Sequence, residues 1–158
     1  MSRRTHSQTL TLWANGKHVG RWTIPARGDM ELQYEPGWLA SARGRPISLS
    51  LPFNLHNEVL KGDHVAHYFE GLLPDSDAIR KRVAARFKTG STEAFDLLAA
   101  IGRDCVGALQ LLPEGQEPAG VDRIDGVVLD EEAIERHLLE VVSPSHFAGA
   151  MDPDDDFR

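Results

Sequence analysis

The fold of this chain is decided by residues 9–23, which read TLTLWANGKHVGRWT. Leu10 and Leu12 lie on one face before the Asn15-Gly16 pair, and the chain then returns through a second β-forming run that contains Val19. An Asn-Gly pair between two such runs is the strongest short-range hairpin signal, because both central residues of a type I′ turn need a positive φ. The stretch therefore predicts two antiparallel strands joined by a two-residue turn.

Three further strands are predicted after the hairpin. Met30 to Tyr34 forms a short strand, and Ile47 to Leu51 alternates strictly before Pro52, which cannot donate to a strand ladder. Val106 to Leu112 reads as the fifth strand, with Gly107 marking a bulge or a close backbone approach. Most connections between the first four strands are short, which favours antiparallel pairing.

The middle of the chain predicts helices, because apolar residues recur there at helical spacing. The first helix runs through Val65 to Leu73, with Asp63 placed to cap its start and Pro74 ending it. A second helix follows the capping oxygens of residues 75–77. Its predicted apolar face consists of Ile79, Val83 and Phe87.

Two more helices complete the pattern. The third carries Phe95, Leu98 and Ile101 and ends at Gly102, which is expected to be its C′ residue. The fourth begins at Asp130, and its apolar stripe consists of Ile134, Leu138 and Val141. Strands, then helices, then a closing strand indicate the α+β class: a mixed, mostly antiparallel sheet of about five strands, with three to four helices packed mainly on one face.

Composition is that of a globular protein of 158 residues, with 41% hydrophobic and 26% charged residues. The single cysteine, Cys105, excludes an intramolecular disulfide and fits a reducing cytoplasm. No signal peptide or membrane-length apolar run is visible, so we expect a soluble, cytoplasmic protein. Residues 1–112 carry 14 basic and 11 acidic side chains, whereas residues 113–158 carry 3 basic and 13 acidic ones, so the second part is strongly acidic.

The sequence carries only weak signals for catalytic chemistry. His64 and His67 lie at i, i+3 on one helix, which fits either a metal pair or two solvated histidines, and no other ligand has the required spacing. Cys105 has the cationic neighbour Arg103, which favours a reactive thiolate, but an apolar strand follows it, which favours a buried and inert thiol. No glycine-rich phosphate loop and no Ser-His-Asp set is present.

Two sets of residues are candidates for binding a partner. The second helix and its end carry a basic run, which is either a solvated face or a contact for phosphates or an acidic partner: Arg80, Lys81, Arg82, Arg86 and Lys88. Three tryptophans, Trp13, Trp22 and Trp38, fall in the strand-rich third of the chain. Each belongs to the core or its rim, unless it is exposed and anchors an interface.

Four blocks of sequence, in one order, resemble the N-terminal region of the HipA family of serine/threonine kinase toxins. They read YEPGWL at residues 34–39, RPISLSLP at 45–52, YFEGLLPDS at 68–76 and FDLLAAIGRDCVGA at 95–108. The similarity covers most of residues 9–113 at the spacing of the family. Several long blocks in one order are far more specific than a single motif.

The resemblance implies a two-lobed kinase that is held by a DNA-binding antitoxin, HipB, in a type II toxin–antitoxin pair and that acts on aminoacyl-tRNA synthetases. It also implies that the nucleotide-binding segment would begin just after Arg158. ATP and magnesium are therefore expected only in a kinase core, and no catalytic, cofactor-binding or metal-binding residue is assigned to this chain. Residues 1–113 would form the N-terminal module, and residues 114–158 an acidic linker and connecting helix.

Three functions fit these observations. The leading hypothesis is a non-catalytic regulatory module that packs on the kinase core, in cis or in trans, and offers surface to a HipB-like antitoxin or to a second copy. The second is a stand-alone, antitoxin-like subunit that neutralises a separately encoded kinase. The third is a repressor component that touches DNA through the basic helix, but the net charge of −7 opposes this, so DNA is expected only indirectly.

Gly28 and Asp96 complete the predicted partner-binding set of Gly28, Trp38, Arg80, Arg82, Arg86 and Asp96. The first module of the family is associated with contacts between kinase copies, and both Gly28 and Asp96 are predicted to lie in connections. Each also has a simpler role. Gly28 fits a turn that needs a positive φ, and Asp96 fits the start of a helix, where a carboxylate favours the helix dipole.

Overall fold

The predicted hairpin lies at the centre of the sheet. Strand β1 (Gln8–Ala14) pairs antiparallel with β2 (Lys17–Ile24), and Leu10 is paired with Trp22. Asn15 and Gly16, which connect the two strands, have φ angles of 50° and 73°. A type I′ turn needs positive φ at both positions, so the hairpin prediction is confirmed.

Three shorter strands extend the hairpin into a five-stranded sheet. They are β3 (Glu31–Tyr34), β4 (Leu60–Lys61) and β5 (Leu109–Pro113), and the strand order is β4-β3-β2-β1-β5. Every pairing among these strands is antiparallel. Together with the helices below, the sheet gives the predicted α+β fold.

The structure is a computed structural model that describes residues 6–104, 109–119 and 126–142. The chain divides into two compact units, Met1–Val121 and Asp122–Arg158. The first unit contains the sheet. The predicted start of the fifth strand, including Gly107, lies outside the described residues, as does Cys105.

The predicted strand at Ile47 to Leu51 is wrong. The Ser48 hydroxyl accepts a hydrogen bond from the Ser50 amide at 3.2 Å, and the Leu51 amide donates to the Ser48 carbonyl at 3.1 Å. These local bonds close a turn in place of a strand ladder, since serine hydroxyls offer the backbone an alternative partner. The place at the sheet edge beside β3 belongs to β4 instead.

The described ranges contain five α-helices: α1 (Pro36–Leu39), α2 (Asp63–Glu70), α3 (Asp77–Arg86), α4 (Ala94–Ile101) and α5 (Glu131–Val142). The four predicted helices correspond to α2, α3, α4 and α5. Helix α1 was not predicted, because four residues are too few for an apolar period. Its available signal was Pro36 at the first helical position, where a missing N–H costs nothing.

The ends of α2 differ from the prediction. Gly62, with a φ of 98°, is the N-cap residue, and Asp63 lies inside the first turn without capping it. The helix ends at Glu70, with Gly71 as its C-cap, before Pro74 is reached. By contrast, the predicted start of α5 at Asp130 agrees to within one residue, because the helix begins at Glu131. The Asp130 carboxylate caps it by accepting a hydrogen bond from the Ala133 amide at 2.8 Å.

Gly102 does end α4, but not as a left-handed C′ residue. Its φ is −67°, and the chain continues into one turn of 3₁₀ helix over Gly102–Asp104. Glycine is needed there for space, since a Cβ would lie 2.7 Å from the Cβ of Leu111 and 2.9 Å from its carbonyl oxygen. The residue thus permits the close approach of α4 to β5.

The core joins the hairpin to α2 and α4 through aromatic rings. Trp22 of β2 stacks on Phe69 of α2, with ring centroids 3.8 Å apart, and its centroid lies 5.0 Å from that of Phe95 in α4. Fully buried aliphatic residues surround these rings, among them Leu10, Leu12, Val19, Leu32, Val65, Leu97, Leu98 and Leu111. Each such side chain contributes about 1.5–3 kcal/mol by leaving water.

Candidate partner-binding surfaces

Arg80, a predicted partner-binding residue, connects two helices within the chain. One of its guanidinium nitrogens lies 2.6 Å from a carboxylate oxygen of Glu70, and its Nε donates to the Pro74 carbonyl at 2.7 Å. The Arg80 side chain is only 16% exposed. The residue therefore holds α3 against the end of α2 and offers little charge to a partner.

Helix α3 and its C-cap residue Phe87 carry a largely exposed basic and apolar surface, which we call the α3 surface and in which Arg86 is half-buried. It consists of Ile79, Lys81, Arg82, Arg86 and Phe87, and Ile79 and Phe87 are 39% and 47% exposed. No residue of α3 is buried, although Val83 packs partly against the core, so the predicted apolar face is wrong in its extent. The guanidinium carbon of Arg86 lies 5.8 Å from the ring centroid of Phe87, which is a cation–π distance.

The tryptophans are mostly core residues. Trp38 is 6% exposed, and its indole N–H donates to the Arg45 carbonyl at 2.9 Å. Its ring is therefore inaccessible as an interface anchor. Trp22 is also buried, whereas Trp13 is half-buried and donates to the Thr11 hydroxyl at 3.0 Å.

Gly28 and Asp96 occupy two separate local structures. Gly28 is exposed with a φ of 98°, which a side chain rarely adopts, and its positive-φ role is borne out. Asp96 lies in the first turn of α4 and accepts a hydrogen bond from the Ser91 hydroxyl, which itself accepts from the Glu93 amide at 3.1 Å. Within the described ranges, no hydrogen bond or ion pair links Gly28, Asp96 and Arg82 to one another.

Sequence reasoning missed the most conspicuous exposed residues, Leu49 and Leu55, each of which is 99% exposed. They lie in the loop of residues 47–58, which we call the leucine loop. In the predicted strand, Leu49 would have shared one face with Ile47 and Leu51. Pro46, Pro52 and the Asn54-containing stretch after them were the turn signals that could have indicated a loop.

The backbone of the leucine loop is held to β3 by side-chain hydrogen bonds. The Tyr34 hydroxyl accepts from the Ile47 amide at 3.1 Å and donates to the Leu51 carbonyl at 2.7 Å. Burial of the Tyr34 phenol raises its pKa to about 12, so the hydroxyl keeps its proton at neutral pH. Leu51 fills the core beneath the loop and is completely buried.

The second half of the leucine loop is held in the same way. The Asn57 side chain donates to the Tyr34 carbonyl at 2.9 Å, and the Gln33 side chain donates to the Asn57 carbonyl at 2.7 Å. Asn54 closes the turn locally, since its amide group accepts from the Glu58 amide at 2.6 Å and donates to the Glu58 carbonyl at 2.8 Å. A fixed backbone thus carries two leucines whose side chains meet only solvent.

The second unit presents an apolar helix face of its own. Helix α5 exposes Ile134, Leu138 and Leu139, which are 45%, 59% and 63% exposed. Glu131 and Glu135 flank these residues. The side chain of Val141, the third predicted member of the stripe, lies outside the described residues.

The described residues contain neither a metal site nor a membrane-spanning helix. No group of three His, Cys, Asp or Glu side chains there is placed to bind a metal ion, and His64 and His67 are both exposed. Among the described helices, none is both long enough and apolar enough to cross a membrane.

Comparison with known proteins identifies the family. The family described as HipA N-terminal domain matches residues 10–112. A Sinorhizobium fredii protein with a provisional kinase name, Y4mE, is 36% identical over 111 residues, which are 70% of this chain and 26% of that protein. This chain thus spans about a quarter of the length of that relative.

A solved structure shares the fold. It is the HipA toxin–antitoxin system of Shewanella oneidensis MR-1, described as a complex of HipA, HipB and operator DNA. The match has a TM-score of 0.57 at 21% identity and covers 82% of this chain and 29% of the solved chain. The family match spans residues 10–112, and this range contains most of the sheet and the helices packed on it. This chain therefore belongs to the HipA N-terminal domain family.

Proposed function

We propose that this chain is a non-catalytic interaction module of a HipA-type serine/threonine kinase and that it works by docking on the remainder of such a kinase. The observation that carries this proposal is the leucine loop, in which Leu49 and Leu55 are 99% exposed on a backbone fixed to β3. Neither side chain is buried within this chain, so neither contributes to its core.

The chemistry of the leucine loop suits an apolar protein surface. Leu49 and Leu55 belong to one short loop, and exposed apolar surface typically marks an interaction site. A preformed loop also loses little conformational freedom on binding. The polar residues between the two leucines, Ser50 and Asn54, are uncharged. Nucleic acid would instead require cations at the centre of the contact.

The remainder of a kinase chain is the occupant that the comparisons favour. This chain spans 26% of Y4mE and 29% of the solved HipA chain, so about three quarters of each protein has no counterpart here. The apolar face of α5 would contribute a second contact with that portion. The proposal assigns residues 1–113 to the module, residues 114–158 to the linker and connecting helix, and ATP and magnesium to the kinase core.

The proposal includes a regulatory setting, a type II toxin–antitoxin pair in the cytoplasm. A HipB-like antitoxin is the expected second partner, because the structural neighbour is described as a complex with HipB and operator DNA. DNA would then be reached only through the antitoxin. The α3 surface, with Arg82 exposed, is the surface we assign to this second contact.

The non-catalytic part is tested with the purified chain, ATP, magnesium and an aminoacyl-tRNA synthetase. We expect no phosphate on the synthetase, whereas a HipA-type kinase tested in parallel should label it. Phosphate transfer by the chain alone, retained after further purification, would contradict this part of the proposal.

The docking part is tested in a chimera in which this chain replaces the matching quarter of Y4mE. Docking couples the unfolding of module and kinase, so calorimetry should show one cooperative transition. The double substitution Leu49→Ser and Leu55→Ser should split it into two. The matched control is Val127→Ser with Val128→Ser, two residues that are 86% and 97% exposed outside the loop. A single transition in the leucine variant would rule out docking through this loop.

A separate subunit that neutralises a kinase in trans is the second candidate. The exposed stripe of α5 is compatible with it, because an apolar helix face can bind a partner in trans as well as in cis. Reading the DNA after the codon for Arg158 distinguishes the two. A continuous frame into a kinase core supports the first function, and a stop codon followed by a separate kinase frame supports the second.

A further inference from the structure

A cleft with a volume of about 400 Å³ lies at the turn end of the hairpin, within the first unit. One wall comes from the β1–β2 turn and the other from the segment that follows α1. Residues that line it include Asn15, Lys17, Trp38, Arg43, Gly44 and Arg45. Sites for small molecules typically have volumes of about 300–1,000 Å³, so the space is sufficient for one.

Both walls of the cleft are fixed by the fold. On the Asn15 side, the wall is the two-residue hairpin turn. Its φ angles of 50° and 73° are fixed because Ala14 and Lys17 on either side of the turn are paired in the sheet. On the other side, the Trp38 indole donates to the Arg45 carbonyl at 2.9 Å, and the Gly44 amide donates to the Ser41 carbonyl at 2.8 Å. A Cβ at Gly44 would overlap the Trp38 carbonyl oxygen, so this turn is closed tightly. The cleft is therefore preformed.

The charge of the cleft has one sign. Lys17, Arg43 and Arg45 line it, and no acidic residue does. Some cations of the chain are paired, such as Lys61 with Glu31 at 2.7 Å and Arg80 with Glu70 at 2.6 Å, but none of these three has an ion pair with a described residue. In a chain of net charge −7, three cations that face one concave space create a local positive potential.

Phosphate is the anion that these groups fit best. A guanidinium presents its N–H groups as a planar fork that binds phosphate oxygens in pairs, and a lysine adds a point charge. The uncharged part of the wall, with Ala14 and Ala42, can contact an apolar or ring portion of the same ligand. A strand of nucleic acid would instead need exposed aromatic rings for stacking, and Trp38 is 6% exposed.

We propose that this cleft binds a small phosphorylated molecule of nucleotide size through Lys17, Arg43 and Arg45. The proposal is independent of the docking function, because it concerns the isolated chain. It also differs from ATP binding in a kinase core, since no metal ion or catalytic group takes part in it.

The test is isothermal titration calorimetry on the full chain with pyrophosphate, AMP and ATP, without metal ions. We expect ATP and pyrophosphate to bind and to compete with each other. Arg43→Ala and Arg45→Ala should each weaken binding by about tenfold or more, because each removes a charge-assisted contact. Lys81→Ala and Arg82→Ala on α3 remove cations that are also exposed, and they should leave the affinity unchanged.

Three outcomes would overturn the proposal. They are the absence of binding by any of these ligands at millimolar concentration, an equal loss in the α3 variants, and tighter cleft-dependent binding of a single-stranded oligonucleotide than of ATP. Melting temperatures of all variants are measured in parallel. If an alanine variant unfolds early, Lys17→Gln and Arg43→Gln replace it, since both side chains are exposed and carry no described contact within the fold.

Discussion

The ring of Trp22 lies flat on the ring of Phe69, with centroids 3.8 Å apart and an angle of 9° between the planes. This stack joins the central hairpin to α2, and both side chains are completely buried. The indole N–H of Trp22 has no hydrogen-bond partner among the described residues. An unpaired buried donor costs about 1–3 kcal/mol, and the packing of the two buried rings has to offset this cost at this position.

Phe69→Ala tests this stack. The change removes a completely buried ring and leaves a cavity, so the free energy of unfolding should fall by about 3–5 kcal/mol. Phe69→Leu keeps most of the volume and should cost less. Urea denaturation followed by tryptophan fluorescence measures both. Equal losses for the two variants would mean that buried volume does not determine the loss and would contradict the cavity explanation.

Tyr34→Phe tests how the leucine loop is held. It removes the hydroxyl that bridges Ile47 and Leu51 and should lower the free energy of unfolding by about 1–3 kcal/mol. Hydrogen exchange at the Ile47 amide should accelerate, because that amide loses its acceptor. Unchanged exchange there would show that the loop is held without this hydroxyl.

The same residue predicts a pH dependence. The pKa of Tyr34 is raised from 10.0 to about 12 by burial, so the folded state holds the phenolic proton more tightly than the unfolded state does. This stabilisation is complete below pH 10 and is lost as the pH rises from 10 towards 12. Urea titrations at pH 9 and above should therefore show a steeper loss of stability for the parent protein than for Tyr34→Phe. Parallel curves would contradict the raised pKa.

Gly102→Ala tests the approach of α4 to β5. An added Cβ would lie 2.7 Å from the Leu111 Cβ, so we expect a loss of about 1–3 kcal/mol in unfolding free energy from overpacking. Gly37→Ala is the matched control, since no atom lies within 4 Å of its added Cβ, and that change should be neutral or stabilising by up to about 1 kcal/mol. Thermal melts decide the comparison. Similar effects at both positions would show that the loss of backbone entropy in the unfolded chain, and not a clash of the added Cβ with Leu111, decides the effect at Gly102.

Arg80→Ala should weaken the connection of α3 to α2. Its bonds to Glu70 and Pro74 are charge-assisted, but Glu70 is partly exposed, so the expected loss is about 1–2 kcal/mol. Arg82→Ala, on the exposed side of the same helix, should change stability by no more than about 0.5 kcal/mol. Chemical denaturation of both variants and of Glu70→Gln provides the measurement. A loss at Arg82 as large as that at Arg80 would remove the structural distinction between them.

Gly28→Ser and Asp96→Asn separate a structural role from a contact role. Gly28→Ser forces a side chain into a φ of 98°, and Asp96→Asn removes the charged acceptor of the Ser91 hydroxyl, so each should lower stability by about 1 kcal/mol. Assembly with a HipA-type kinase and its antitoxin is then measured by size-exclusion chromatography. If both variants lose stability while assembly per folded molecule is unchanged, these residues are not interface residues.

Local chemistry was sufficient for the sequence to determine most of the fold by itself. The Asn15-Gly16 pair specifies its turn because two adjacent residues must tolerate positive φ, and no distant contact is needed for that. The carboxylate at Asp130 likewise begins α5 through a bond to an amide three residues away. Most helices were found for the same reason, since apolar spacing along one helix is a local property.

Only the tertiary structure decided that residues 47–51 form a turn of the leucine loop and not a strand. The alternation of Ile47 to Leu51 is compatible with a strand, but a strand needs a partner ladder, and the Tyr34 hydroxyl instead takes the amide of Ile47 and the carbonyl of Leu51. That hydroxyl comes from a residue 13 positions earlier than Ile47, so no local window contains the information. The exposure of Leu49 follows from this turn, because a side chain in a closed turn has no opposite sheet face to fill.

The same distinction applies to the candidate sites. Sequence alone placed Arg80 and Arg82 together as basic residues of one helix, since charge and spacing are visible in it. Only the tertiary structure separated them, because Glu70 and Pro74 come from the preceding helix and its exit. The cleft beside the hairpin turn could not be predicted for a related reason. Lys17 and Arg43 are 26 positions apart in sequence, and they share a concave space only after the hairpin turn and the segment after α1 have packed together.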